Sequence, residues 1–585
     1  MNSTAIPANA LSPQFTIPTI AGHTTDKQEH NEQARLQTNS LDIDNTSLFE
    51  DMSALLLGQE RTLDAFSLLS KIPEQHMYIA DNEGISRLPF IKALVSHAQQ
   101  HLSQSQHQDE PNPHASQPYQ DNIDDFCYLA GNIKRIDLIG TGQQHKQSSQ
   151  KGVLSQYKYV FICAESLLKQ ERLWDLLMHI LSEREYKTNQ SLPAIPLTAK
   201  VILIGNASLY SHAWIEERLF STHFPLLGEL IHEMDRSVYN EQDYLKWLMA
   251  IASTHNVKLA QSSLLPLFNY ASKMADHQQR FTLLSNFIAQ VLAQAKAYSK
   301  TEAITDKDVE HAIYQFNQRH NASAQLSAQN FDDKFINVST DARLIGQING
   351  LTVLDTVEYR YGEPARITAS VHYGDGEVAD IERKSELGGN IHAKGMMILS
   401  ACLYRIFGRD APLHLNANIV FEQSYQEIDG DSASLAEYCC LISAISEQAI
   451  FQGIAATGAI DQFGNVQAIG GVNEKIEGFF DLCERRGLTG EQGVIIPTAN
   501  CQQLNLKPTI IKAVEQQQFH IYQIEHIDEA VELLMNKTAG KADEDHHFPE
   551  GSLYGLVQTR LDRLAGYPEE EKSLFGKLLE KLRIF

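Results

Sequence analysis

The sequence predicts a multidomain protein of mixed α/β and α+β class. Three observations carry this. At 585 residues the chain exceeds what one ordinary hydrophobic core holds, and three or so domains are expected. Between residues 77 and 206 compact apolar runs alternate with amphipathic stretches, the pattern of a mainly parallel sheet. From about 241 the pattern turns helical, and from about 341 strands and helices mix again.

Residues 1–46 are polar, rich in Thr, Asn and Gln, and are expected to form a disordered N-terminal segment. An α/β domain follows over 47–240. In it, SLFEDMSALLLGQERTLDAFSLLSKI has helical spacing, and HMYIADNEGISRLPFIKALVSHAQQHL reads as strand, loop and helix. IDDFCYLAG and KRIDLIG read as short strands, with polar insertions near 100–120 and 141–152. YKYVFICAESLL and TAKVILIGNASLY are apolar runs bounded by turn residues, on either side of the amphipathic QERLWDLLMHILSER. Residues 241–320 form a helical domain, whose last helix has Thr305 followed three residues on by Asp308, a capping box.

The third domain spans 341–538. Its strands are read in ARLIGQINGLTVL, PARITASVHYG, LHLNANIVFEQSY and GVIIPTAN, and its helices in IHAKGMMILSACLYRIF, EKIEGFFDLCERRG, IDEAVELLMN and the run after Ser432. A linker over 539–550 leads to an amphipathic helical tail, 551–585. There Leu574, Phe575, Leu578, Leu579 and Leu582 form one stripe suited to packing.

Charge and cysteine usage exclude several classes. With 48 Lys+Arg against 73 Asp+Glu the net charge is -25, which disfavours broad binding to nucleic acid or an anionic membrane. A local basic patch remains open. No apolar stretch reaches the roughly 18–20 residues of a membrane span. The seven cysteines (127, 163, 402, 439, 440, 483 and 501) lack CxxC spacing, so no metal site is read and buried thiols in a reducing compartment are expected. MNSTAIPANALSPQF has neither the basic nor the long apolar region of a secretory signal, and the expected location is cytoplasmic.

In the α/β domain, the loop after the first strand is where a phosphate-binding loop belongs. That chemistry needs glycines to bring N–H groups round the phosphates, a lysine, and a hydroxyl for magnesium. The chain reads ADNEGISRLP, with Gly84 alone, Arg87 in the lysine's place, and Leu88-Pro89 without a hydroxyl. VFICAES has Ala164, followed by Glu165, where a magnesium-binding aspartate is wanted. Asn206, after a strand, is either a γ-phosphate sensor or a turn former. Arg218 is either an inter-subunit arginine finger or a surface residue.

The third domain offers a nucleophile. Ser432 stands in EIDGDSASLAEYCC, before an apolar helical run and with no nearby histidine. Read alone, it is a helix cap. A desolvated lysine held neutral is the other known way to activate a serine. Lys475, after Gly470-Gly471 and among Ile476, Phe479 and Phe480, is the best candidate. A helix N-terminus and apolar surroundings both oppose its charge.

Over about 345–534 the chain resembles the proteolytic domain of Lon proteases, in the branch whose serine motif reads Gly-Asp-Ser-Ala-Ser. The resemblance rests on VFEQSYQEIDGDSASLAE, TGAIDQFGNVQAIGGVNEKIEGFFDLCERRG and LGGNIHAKGMMILSACL. It implies a Ser432–Lys475 dyad, with supporting roles for Thr457, Glu422 and Asp431, and structural roles for His392 and Lys394. LLLGQERTLDAF, DDFCYLAGN and IPLTAKVILIGNASLY resemble that branch's divergent AAA+-like ATPase module, over roughly 55–315. Gly84, Arg87, Glu165 and Asn206 fall on its degenerate nucleotide site. The function implied is a Lon-like serine endopeptidase acting on unfolded proteins or peptides, as a hexameric ring. Peptide hydrolysis itself requires no cofactor, and dependence on ATP and magnesium is left open by the altered loop. The alternatives are an ATP-dependent protease with an unorthodox loop and a non-catalytic assembly protein.

Overall fold

The computed structural model describes residues 4–20, 52–106, 125–141, 150–189, 191–356, 359–374, 376–384, 387–408, 413–424 and 428–566. They fall into two compact units. One comprises Phe15–Ala275 and Gln279–Tyr314; the other holds the residues up to Gln14, Asp276–Gln278 and everything from Gln315.

The first unit is built on a parallel sheet of β1 (Met77–Asp81), β2 (Phe126–Leu129), β3 (Tyr159–Cys163), β4 (Lys200–Asn206) and β5 (Leu226–Glu229), in the order β2-β3-β4-β1-β5. Side chains alternate between its two faces. Met77, Ile79, Phe161, Ile202 and Ile204 share a core with helix α1 (Arg87–Gln106) and the later helices, while Tyr78, Val160, Ile162, Val201 and Leu203 pack against Glu171–Glu183. Both faces are covered, which is why these strands read as continuous apolar runs. In the helical part, Asp308 takes the N–H of Thr305 at 2.8 Å, one of the two bonds of the expected capping box. The Thr305 hydroxyl also donates to Asp308.

The second unit carries a seven-stranded mixed sheet. In chain order its strands are β6 (Gln347–Asp355), β7 (Arg360–Tyr373), β8 (Val378–Asp380), β9 (Leu415–Glu422), β10 (Ile454–Ala456), β11 (Gly493–Pro497) and β12 (His520–Ile524). They are arranged β8-β9-β7-β6-β10-β11-β12. One face packs on α2 (Asn390–Phe407), α3 (Ser434–Ser446) and α5 (Ile527–Met535); the other on α4 (Val472–Arg486). A pair of glycines sets α4 hard against β7. A Cβ at Gly478 would lie 1.9 Å from the Gly362 oxygen, and one at Gly362 would lie 2.1 Å from the Glu474 oxygen.

Three expectations are corrected. KRIDLIG is not a strand: Arg135–Ile139 is a single helical turn with Leu138 and Ile139 buried, a case where a short apolar run does not reveal its period. The N-terminal segment is not disordered throughout. Ala5 bridges Tyr522, Ile6 N–H donates to Ile521 O at 2.8 Å, and Ile6 and Leu11 are buried. Two apolar residues and free backbone groups suffice to cover an open sheet edge, whatever the surrounding polarity. Residues 539–550 are not a free linker, since Ala539 is buried and the Phe548 ring packs on Phe407 and Tyr554. Within the expected helical tail, the helix Leu553–Leu564 lays Leu553, Tyr554 and Val557 into the same core as α3. The 574–582 stripe, and most of the 100–120 and 141–152 insertions, lie outside the described residues.

Among the described residues, no helix is long and apolar enough to cross a membrane.

The glycine contact yields a prediction. Gly478→Ala is expected to lower the stability of the second unit by about 3 kcal/mol, at the upper end of overpacking costs. Scanning calorimetry reads this directly, and an unchanged transition would mean that α4 can retreat from β7 at little cost.

Candidate active site

The turn between β9 and α3 presents Ser432. Its geometry begins at Gly430, whose φ of +144° few other residues adopt. Ser432 is not the helix cap that its position suggested. α3 starts at Ser434 after Ala433, and no side chain caps it. Ser434 braces the turn instead: its hydroxyl donates to Asp431 O at 2.8 Å and accepts from Ile460 N–H at 3.1 Å. The carbonyl of Ser432 is held by Gly458 N–H at 2.8 Å and by the Thr457 hydroxyl at 3.2 Å.

Lys475 reaches this turn from the first turn of α4. Gly471 precedes the helix at φ +67°, and a Cβ there would also press on Val353. The Lys475 side chain is therefore sent inward, to 2% exposure. Its Nζ stands 2.8 Å from Ser432 Oγ and 3.3 Å from Thr457 Oγ1. Desolvation pulls its pKa down to about 8, with the Asp431 carboxylate acting weakly the other way. About a tenth of such a lysine is neutral at pH 7.

Two clefts meet at this pair. One, of about 520 Å³, is walled by Leu326, Leu351, Phe421 and Ile428; the other, of about 610 Å³, by Ile391, Ala468 and Ile469. Ser432 and Lys475 line both. An extended chain thus has room on either side of the hydroxyl.

Comparison with known proteins identifies the domain that carries this geometry. Residues 414–537 match the Lon protease (S16) C-terminal proteolytic domain, and 258–319 match the AAA+ ATPase lid domain of archaeal LonB. A Haemophilus influenzae protein named "Putative Lon protease homolog" is 36% identical over 429 residues, covering 71% of this chain and 70% of that protein. The chain belongs to the Lon protease family. An Escherichia coli protein of the same name is 36% identical over 391 residues, covering 64% of this chain and 66% of the relative. The archaeal Lon protease of Pyrococcus abyssi is 29% identical over 213 residues, covering 35% and 19%. The protein is thus a Lon-like serine peptidase, a multidomain chain with a Lon proteolytic domain and an AAA+-type lid.

Within the Lon proteolytic domain the structure gathers Ser432, Lys475, Thr457 and Asp431, but not Glu422. The Glu422 carboxylate accepts from the Thr368 hydroxyl at 2.9 Å and lies 3.7 Å from Arg366, across the strand pair. Lys394 is exposed. His392 is buried, 3.1 Å from Asp380 and 3.9 Å from Glu437. Sequence reasoning missed both acids. Glu437 did carry a signal, as the one charged residue of an otherwise apolar helix, whereas Asp380 carried none.

The predicted nucleotide residues lie at the C-terminal ends of β1, β3 and β4, the usual ligand crevice of a parallel sheet. Arg87 is engaged there on both sides. It meets Asp81 at 2.6 and 3.1 Å and Glu165 at 3.2 Å twice, and donates to Cys163 Sγ at 3.2 Å. Asn206 caps the helix Ala207–Glu216 through Leu209 N–H, and the Asn206 N–H donates to Glu165. In the loop, the N–H groups of Gly84, Ile85 and Ser86 bond to Asn82 and to Ser285 Oγ. Arg218 is exposed. These donors face protein acceptors, and the carboxylates of Asp81 and Glu165 flank Arg87.

The Lys475 environment predicts a pH signature. Its folded pKa of about 8 lies below the ordinary 10.5, so the charged lysine costs stability below pH 8, and that stability returns between 8 and 10.5. Lys475→Met is expected to be about 1–3 kcal/mol more stable than wild type at pH 7, with the gain fading by pH 10.5. Denaturant unfolding across this range tests it; a gain independent of pH would show that Lys475 does not titrate there.

Proposed function

We propose that this chain is an endopeptidase that cuts unfolded proteins or peptides with Ser432 as nucleophile and Lys475 as general base, without using ATP. One observation carries the reading: a buried amine of lowered pKa sits within hydrogen-bond reach of a serine hydroxyl at the junction of two clefts. The neutral amine takes the Ser432 proton as Oγ attacks the scissile carbonyl. The ammonium so formed donates to Thr457 Oγ1, and it then protonates the leaving amine. Water attacks the resulting acyl-enzyme, again with Lys475 as base.

The oxyanion needs donors fixed in advance. The N–H groups of Asp431 and Ser432 carry no hydrogen bond among the described residues and lie ahead of α3. They are the donors we assign. Thr457 has a positioning role, since its one hydroxyl touches both the lysine and the serine carbonyl. The Asp431 carboxylate partly opposes the desolvation that lowers Lys475.

ATP independence is supported by the ion cluster around Arg87, which takes up the donors that would hold phosphates. A protease without a motor acts on chains that are already unfolded. We further assign a cytoplasmic, hexameric ring, consistent with the acidic chain and with Lon proteases generally being oligomeric.

Casein digestion with and without ATP and magnesium tests both parts. Ser432→Ala and Lys475→Ala are each expected to lower kcat by about 10³-fold or more, and the wild-type rate to be the same with and without nucleotide. A Lys475→Ala enzyme active at neutral pH would sink the dyad. A rate that rises several-fold with ATP would sink the motorless reading while leaving the dyad standing.

A further inference from the structure

Behind the nucleophile turn lies a cluster of ionisable side chains that the cleavage steps do not use. His392 comes from α2, Asp380 from the end of β8, Glu382 from the helical turn Ile381–Lys384, and Glu437 from α3. Side-chain exposure is 2% for His392 and Glu437 and 7% for Asp380, and Glu382 is buried too. His392 Nε2 lies 3.1 Å from Asp380 Oδ2 and 3.9 Å from Glu437 Oε1. Asp380 Oδ1 accepts the Glu382 N–H at 3.0 Å, and Glu382 Oε1 accepts the Phe421 N–H at 3.0 Å. The Phe421 ring stands edge-on to the imidazole. From β9, Glu422 adds its charge next to Glu382.

The helices that carry His392 and Glu437 are also tied to the turn that presents Ser432. Glu437 N–H donates to Ala433 O at 2.9 Å, one residue beyond the nucleophile. Asp429, on the turn, accepts N–H groups of Ile391 and His392 at 3.0 and 3.4 Å. Ile428 pairs with the segment before α2, donating to Leu387 O at 2.8 Å and accepting from Gly389 N–H at 2.9 Å. The turn is thus mounted on β9, α2 and α3, and these three meet at His392.

Three carboxyls buried round one imidazole cannot all ionise unless the imidazole is charged. Burial opposes the imidazolium, but the close approach of Asp380 and the charges of Glu437 and Asp380 outweigh it and raise His392 above its ordinary range. Burial likewise raises the Glu437 carboxyl, to about 7, with His392 pulling the other way. Once His392 loses its proton, the acids that remain ionised repel one another inside the protein, and the mount loosens.

We propose that His392 is a positioning residue: as an imidazolium held between Asp380 and Glu437, it fixes the first turn of α3 and so keeps the Ser432 hydroxyl opposite Lys475. This rests on the Ser432–Lys475 reading given above. It gives the reaction a second titration of opposite sign. Activity rises as Lys475 becomes neutral through about pH 8, and is lost as His392, raised above its ordinary range, discharges.

The test is steady-state cleavage of a fluorogenic peptide by the full-length chain from pH 6 to 10. The rate at which a sulfonyl fluoride inactivates Ser432 is measured alongside. Wild type is expected to give a bell-shaped kcat profile. His392→Gln is expected to lower kcat about 10- to 100-fold, the size of a small misplacement of a catalytic group, with KM within about twofold. Its inactivation rate falls in parallel, and the alkaline limb disappears while the limb set by Lys475 stays. Asp380→Asn removes the partner that raises His392, so its alkaline limb moves to lower pH. Should His392→Gln fail to fold, that shift alone decides. A wild-type plateau extending to pH 10, a His392→Gln variant with wild-type kcat or a surviving alkaline limb, or an Asp380→Asn limb that stays in place would each overturn the proposal. Those results leave the dyad intact if Ser432→Ala is inactive; a folded wild type without Ser432-dependent cleavage overturns the dyad reading and this one with it.

Discussion

Everything at this site depends on keeping one lysine dry. An exposed lysine beside Ser432 would stay charged at neutral pH and could take no proton from it. At 2% exposure, Lys475 meets a hydroxyl on either side and no carboxylate within bonding distance among the described residues. Its charge is therefore opposed by burial and little compensated. The rest of the proteolytic domain can be traced back from that requirement. Gly471 turns the chain so that the helix starts with Lys475 pointing inward, and Gly362 and Gly478 let the helix lie almost on the backbone of β7. Thr457 links the amine to the serine carbonyl, so that nucleophile and base share one anchor. Burial of this kind costs stability, which a large apolar core offsets: α3 is buried along almost its whole length.

The parts of this arrangement that could be read from the sequence are those whose signal is local. Strands β1, β3 and β4 were legible because both faces are buried and all but their end positions are apolar; α4 was legible from its glycine pair and its apolar stripe. Ser432 and Lys475 could be named from the residues around each and from the resemblance their motifs carry. Their contact across 43 positions is a product of topology, and no spacing rule contains it. Arg135–Ile139 and Ala5–Ile6 were misread because so few residues carry no period, and what places them is a sheet edge or a core supplied by distant chain. Asp380 was invisible for the same reason. It is an ordinary acid in a glycine-rich stretch, and only the fold puts it beside His392.

The two halves of the chain apply one electrostatic rule to opposite ends. In both, a basic side chain is drawn out of water at a place where the fold traditionally does chemistry. Arg87 is met by two carboxylates, and although desolvation works against the charge, their hydrogen bonds drive its pKa further up. Such a guanidinium is neutralised in place and rigid, and it leaves no unpaired positive field for a phosphate. The pairing suits a strut joining the ends of β1 and β3 better than a ligand site. Lys475 is met by hydroxyls, and it loses charge instead of being paired. Exchanging the partners would exchange the outcomes: a carboxylate within bonding distance of Lys475 would restore the ammonium and end its use as a base. Asp431, whose charge already pulls weakly that way, lies next to the nucleophile. How close that carboxylate comes to the amine sets how basic the dyad can be, so the turn that presents Ser432 has to hold its neighbour back as firmly as it holds the serine in place.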